Sequence, residues 1–480
     1  MDKNLLYKNF HMWNFNFAKI VAWVWPTLAK ETVLSKVINM VDVFRISLSG
    51  GFDDNNKKYI ETIMKLDNSK TIMMETKWCD VRVKNLLDVN LKKWDIVNVD
   101  YSEYAQENDK IIFIDYEKLA ELWVWAKIKF EQSNILLEIT EIKAEDNVDC
   151  KVIEWWTLFQ FDRVRFSENE IDFGVLTERD QKDILWWIEH WIHMIALSGV
   201  KSPDDVLSLK AFLNDNNKWN MKIIAKIETS EWLRNLDAIN AVADWIIFVF
   251  DKLEKDMGER NLTMQQLIER IKATWKPVSV TFISWLESKK YPFRDEKEIQ
   301  QFCDCAIDSF VIEWIIKEDD TLDIITEVYE LLSKCEPKSP ETTKERFDND
   351  DDFVVRDYII YNAYRITKEL DIKAIVCFTD NWYTSARLSS LAPRVPVITF
   401  TKSDETYRYL NMIRWVKWYK ISESFDYENL KRIWKEMIRI IFKWNISLDD
   451  KVVIVQSNER QKDEKNDMIN WVELYKFKNI

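Results

Sequence analysis

Apolar and polar positions along the chain keep two rhythms. In the first, a short apolar run is followed by a helix-spaced pattern. It occurs at Lys19–Val24, Val41–Leu48 and Thr71–Thr76, with helices expected over about 30–40 and 53–66. It returns at Met194–Ser198, Ile223–Ile227, Trp245–Phe250, Pro277–Phe282 and Ser309–Ile312. Nearly unbroken apolar runs are how strands buried on both faces of a parallel sheet read. About eight such units predict a (β/α)8 TIM barrel. Between the third and fourth runs, over 78–165, the rhythm changes to short alternating segments near 95–99, 110–114, 135–139 and 150–153. That period predicts a small all-β insertion. Thr177-Glu178-Arg179-Asp180 reads as a capped helix start, as does Ser202 followed by Pro203.

Residues 336–352, EPKSPETTKERFDNDDD, break both rhythms and read as a linker. Beyond them a helix at 353–370, strands at 373–378 and 395–400, a helix at 426–443 and a strand at 451–455 predict an α/β domain. The hydrophilic run 456–470 reads as loop, and no internal repeat is visible. The expected division is a barrel from 1–77 and 166–335, an inserted β domain at 78–165, and a carboxy-terminal α/β domain at 353–480.

Within this pattern one charge is out of place. Lys226 interrupts the apolar run Ile223–Ile227, and Glu228 ends it. A charge inside a buried strand is costly without a partner. Side chains two apart on a strand share a face. The pair reads either as a structural ion pair or as a cation and a metal-binding carboxylate at a barrel mouth.

Composition narrows the class. Net charge is −14 with no basic tract, which argues against nucleic acid. No apolar run approaches a membrane span, and the start MDKNLLYKNF lacks the apolar core of a signal peptide. The six cysteines, at 79, 150, 303, 305, 335 and 377, are scattered among only three histidines. Neither a zinc site nor a disulfide framework is expected, and the reading is a reduced, cytoplasmic, globular protein.

Glycine is the anomaly: 5 residues, against 24 Trp. Trp stands where turns want glycine, as at Trp25 before Pro26, at Trp155-Trp156, and at Trp275 before Lys276-Pro277. Positive-φ turns favour glycine and penalise bulky side chains. These positions fit a gene in which UGA encodes glycine and has been read as Trp.

The chain resembles the pyruvate kinase family over nearly its whole length. The marks are KIVAWVWP (19–26), VDVFRISLSGG (41–51), ETKWCDVR (75–82), LTERD (176–180), MIALSGVKSPDDV (194–206), IIAKIETSEWL (223–233) and ADWI (243–246). Trp falls on family glycines at 25, 78, 155, 156, 187, 191, 232, 245 and 275, and on a family threonine at 23. The resemblance implies a barrel, an inserted β-barrel lid and an α/β domain, commonly as a homotetramer. It implies phosphoryl transfer from phosphoenolpyruvate to ADP, giving pyruvate and ATP, with Mg2+ (or Mn2+) and K+. Arg45 and Lys226 would be catalytic and bind the phosphoryl group, with Lys77, Arg82 and Ser198 as further substrate contacts. Glu228 and Asp251 would hold Mg2+. Ser47, Ser49, Glu75 and Thr76 would form the K+ site, with Ser47 replacing the family's Asn and Glu75 its Asp. Asp80, an acid where some members have Lys, is associated with K+ dependence.

The departures concern the other half of the chemistry. FVFDKLE (248–254) replaces the family's ARGDLG segment, and Thr281-Phe282-Ile283-Ser284 replaces TATQ, so that the catalytic Thr aligns with Ile283. Asp162-Arg163-Val164 stands for the lid's RKG. TDNWYTSAR (379–387) resembles the effector-phosphate loop only faintly, and SNERQKDEKND (457–467) replaces a glycine-rich loop. Three readings follow: a divergent pyruvate kinase, an impaired homologue that binds ligands or partners, and a barrel enzyme acting on another phosphoenolpyruvate or oxo-acid substrate.

Overall fold

A computed structural model describes residues 18–24, 28–47, 54–76, 81–102, 106–116, 118–130, 132–159, 162–167, 176, 178–190, 192–228, 230–250, 253, 257, 262–282, 296–312, 318–334, 354–379, 381–393, 395–422, 432, 434–435, 437–438, 447, 449–456 and 471–477. The apolar runs become eight parallel strands in one closed barrel. In ring order these are Lys19–Trp23, Val43–Ser47, Thr71–Glu75, Met194–Leu197, Lys222–Ile227, Trp245–Val249, Val278–Phe282 and Ser309–Ile312. Thr71–Glu75 and Trp245–Val249 are buried at every residue, as strands covered on both faces must be. The helix Pro203–Asp215 begins where Ser202 and Pro203 predict it. The Asp205 carboxylate accepts the backbone N–H groups of Lys201 and Ser202, each at 2.8 Å.

The chain forms two compact units, 1–76 with 178–480, and 77–177. The second unit contains a seven-stranded sheet whose long hairpin, Ile135–Ala144 with Asn147–Glu154, alternates buried and half-buried side chains over 135–140 and 147–153. That is the period-two signal of the sequence carried into packing. At its end Asp162, fully buried, accepts the backbone N–H groups of Gln132 and Ser133.

The carboxy-terminal sheet has the order Val416–Lys420, Val397–Thr401, Ala374–Phe378, Lys451–Gln456 and Trp471–Lys476, the last antiparallel. The helices Tyr383–Ser390 and Asp404–Leu410 and the two edge strands were not anticipated by the sequence pattern. This sheet's elements close the floor of the barrel. Arg408 donates to the carbonyls of Lys70 and Asn68, and Thr71 Oγ1 donates to the Arg408 carbonyl at 2.6 Å. Asn411 donates to the Ser69 carbonyl, Tyr409 to that of Asp244, and the Arg414 N–H reaches Asp308 at 3.4 Å. All of these partners lie at the amino-terminal ends of barrel strands. Beside them His193 accepts the Ile72 N–H on Nδ1 at 2.9 Å; burial, reinforced by Arg408, pushes its pKa down to about 3. No helix among the described residues is long and apolar enough to cross a membrane.

Backbone geometry bears on the tryptophans. Among the described residues Trp94, Trp125, Trp275 and Trp415 have φ of 75°, 84°, 55° and 61°, in the left-handed region. Trp275 is where the sequence pattern placed such a turn. Trp155 and Trp156 are exposed but not at positive φ, and Trp187 and Trp245 are fully buried. Trp25, Trp78 and Trp191 lie outside the described residues.

Candidate active site

Arg45, Glu75, Ser198, Lys226 and Glu228 come from four successive barrel strands and the residues just after them. Each sits at or near a carboxy-terminal strand end, the end where barrels of this kind place their chemistry. The floor contacts close the opposite end.

The centre of the group is Glu75. Its Oε1 accepts from Lys226 Nζ at 2.7 Å and from Ser198 Oγ at 3.1 Å, and its Oε2 pairs with Arg45. Lys226 Nζ also lies 3.5 Å from Glu228 Oε1. The sequence paired Lys226 with Glu228; the structure gives it Glu75 as the nearer partner. Arg45, Glu75, Lys226 and Glu228 are 2, 8, 5 and 2% exposed. Two cations and two carboxylates therefore cancel in a setting where an unpaired charge would be very costly. Arg45 also lies over the Trp23 ring, 5.3 Å from its centroid. Thr76 Oγ1 accepts the Ser198 N–H at 3.1 Å, which ties the ends of the third and fourth strands together.

Followed once around, the strand-to-strand registers close with the eight-residue shear usual for such barrels. Side chains from alternate strands then share a level. Glu75, Lys226, Thr281 and Trp23 form one such layer, on the first, third, fifth and seventh strands. Thr281 is fully buried and its hydroxyl has no hydrogen-bond partner among the described residues. The sequence reading passed over Thr281 by placing the catalytic Thr at Ile283. Inward parity counted from Ser279, whose hydroxyl accepts the Trp245 indole N–H and meets the Ser309 hydroxyl, places Thr281 on the same inward face.

Ser47 ends the second strand, directly in register with Glu75. Ser49, Lys77, Asp251 and Ile283 lie outside the described residues. Arg82 belongs to the other unit, where its N–H donates to Asp115 Oδ1 at 2.6 Å and Lys84 pairs with the same carboxylate.

Comparison with known proteins follows this geometry. Residues 15–309 match the family profile of the pyruvate kinase barrel domain, and 357–470 that of the pyruvate kinase alpha/beta domain. Pyruvate kinase of Bacillus licheniformis is 25% identical over 412 residues, covering 82% of this chain and 70% of that protein. Pyruvate kinase of Staphylococcus aureus (strain MRSA252) is 25% identical over 423 residues with the same coverage. The crystal structure of Cryptosporidium parvum pyruvate kinase superposes with a TM-score of 0.79 at 17% identity, over 98% of this chain and 99% of that one; it speaks for the fold.

Proposed function

The chain belongs to the pyruvate kinase family, and from that premise we propose that it transfers the phosphoryl group of phosphoenolpyruvate to ADP, giving pyruvate and ATP. The observation that carries this reading is the convergence of Arg45 and Lys226 on one anion at the carboxy-terminal barrel mouth. Phosphoryl transfer needs positioning and charge neutralisation more than covalent help. Arg45 offers a planar fork of donors suited to a phosphoryl group. Lys226 stands where charge on the departing enolate oxygen would be met as it grows. The buried Thr281 hydroxyl, level with Lys226, is the group we assign to the proton that converts enolate to pyruvate.

Members of the family use Mg2+ and K+. The donors gathered here are carboxylate and hydroxyl oxygens, which fit such hard cations. No group of three or more His, Cys, Asp or Glu among the described residues could hold a metal. In this reading Glu228 supplies one Mg2+ ligand, Asp251 a second, and substrate oxygens the remainder; Ser47, Ser49, Glu75 and Thr76 form the K+ set. When bound, Mg2+ neutralises charge on the phosphoryl oxygens.

The test is a coupled assay with phosphoenolpyruvate, ADP, Mg2+ and K+. Turnover abolished by Lys226→Met supports the reading. Absence of turnover, with phosphoenolpyruvate still raising the melting temperature, supports the impaired-homologue reading, which FVFDKLE at 248–254 favours.

A further inference from the structure

We propose that Trp23 is a positioning residue for the phosphoryl subsite: its indole covers one face of the Arg45 guanidinium and holds the edge of that fork ready for an anion. The inference rests on the phosphoryl-transfer reading for the identity of the anion.

Four observations carry it. The first is register. Trp23 ends the first barrel strand, and its Cα partner on the second strand is Arg45. The second is parity. Val21 and Val43, two residues before each, are fully buried and share one apolar cluster with Met73 and Val311. Side chains two apart on a strand share a face, so Trp23 and Arg45 follow them on the inner face of the barrel, one step nearer its carboxy-terminal mouth. This placement comes from the backbone and holds whatever fills the mouth. The third is contact. The guanidinium lies over the Trp23 ring, 5.3 Å from its centroid. Tryptophan offers the best ring face for a cation within about 6 Å. The fourth is identity. Trp23 sits in a strand, not at positive φ, and falls where the family has threonine. The glycine reading of the turn tryptophans does not reach it.

Guanidinium donors lie in the plane of the group, whereas the attraction of a ring acts on its face. Glu75 meets the edge of Arg45 through Nη1, and the ring leaves that edge to a carboxylate, a phosphoryl oxygen or both. Threonine has no such face. Without the ring Arg45 samples more rotamers, and the apparent affinity of a site falls in proportion to the fraction of molecules competent to bind. A desolvated cation–π contact is strong enough for that fraction to drop about tenfold.

The experiment is calorimetric titration of the full chain with inorganic phosphate, without ADP, for the wild type, Trp23→Phe, Trp23→Leu and Trp23→Thr, beside the melting temperature of each. Trp23→Leu and Trp23→Thr are expected to bind phosphate about tenfold more weakly, and Trp23→Phe, which keeps a ring face, within about threefold of the wild type. Leucine fills space but has no ring face, so equal losses in Trp23→Phe and Trp23→Leu overturn the proposal. Wild-type affinity in Trp23→Leu does the same, as does absence of phosphate binding by the wild type or a UGA codon at 23. Should Trp23→Leu fail to fold, Trp23→Thr, which carries the family's own residue, takes its place in the comparison with Trp23→Phe. No turnover enters the measurement. Rescue by phenylalanine in a protein inactive in the coupled assay would uphold Trp23 as the positioning residue while the phosphoryl-transfer reading falls.

Discussion

Trp125 offers the cleanest test of what the left-handed tryptophans mean. Its φ is 84°, its side chain is 70% exposed, and no ring contact holds it among the described residues. Left-handed backbone costs a residue with a Cβ about 1–2 kcal/mol. Glycine escapes that cost but gives up roughly 0.5–1 kcal/mol in extra unfolded-chain entropy. Trp125→Gly is therefore expected to stabilise by about 0.5–1 kcal/mol. Trp125→Ala removes the indole and keeps the Cβ, so it should leave stability nearly unchanged. Trp94, at φ 75°, is an internal contrast, because Lys151 and Lys93 lie 4.6 and 5.0 Å from its ring centroid. Exposed cation–π contacts are worth about 0.5–1 kcal/mol, so Trp94→Gly should come out near zero. Urea denaturation of the three single variants reads all of this. If alanine stabilises position 125 as much as glycine does, indole exposure and not the backbone is responsible. If neither variant stabilises, the glycine reading loses its physical basis. The codons at 94, 125, 275 and 415 provide the genetic counterpart: UGA at these positions is expected.

Three further outcomes follow from the site and the floor. Arg45→Lys should weaken binding of a phosphoenolpyruvate analogue about tenfold or more with the melting temperature little changed, since an ammonium cannot reproduce a bidentate fork; unchanged affinity removes Arg45 from the site. Glu228→Gln should lower Mg2+ affinity and be partly rescued by excess Mg2+, whereas Lys226→Met should spare Mg2+ binding and abolish transfer; titration calorimetry beside the coupled assay separates the two. His193 stays neutral in the fold to about pH 3 but is protonated in the unfolded chain below about 6.5. The unfolded state then binds the extra proton, so stability falls with pH, by about 2 kcal/mol between pH 6.5 and 5 from this group. His193→Gln should flatten that part of the profile, and an unaltered slope would contradict the assignment.

The barrel was legible because each strand is buried on both faces and leaves a dense apolar run. Lys226 was legible for the same reason, as a charge such a run cannot carry without purpose. Its partner was not. Glu75 lies 151 positions away, and only closure of the barrel brings the third strand opposite the fifth. Local spacing instead offered Glu228, two residues on, which the structure places farther from Nζ. The inward position of Thr281 followed from the parity of its own strand, which alignment to a motif did not use. In the carboxy-terminal sheet, Asp404–Leu410 is a seven-residue helix, too short for a periodic signal. Trp471–Lys476 has no fully buried residue and so leaves no core pattern.

The closed floor bears on inheritance. Arg408, Tyr409 and Asn411 bind carbonyls that begin the third and sixth barrel strands, and residues of both regions share one apolar cluster, Val43 and Met73 with Tyr409 and Leu410. A gene ending at 336–352 would encode a barrel whose lower rim displays bare carbonyls and an uncovered apolar face. Recombination could exchange the 77–177 segment, which has a core of its own, but the barrel and the carboxy-terminal sheet must travel as one cassette. Their sequences are accordingly free to drift only in step, each side of the floor constraining the other.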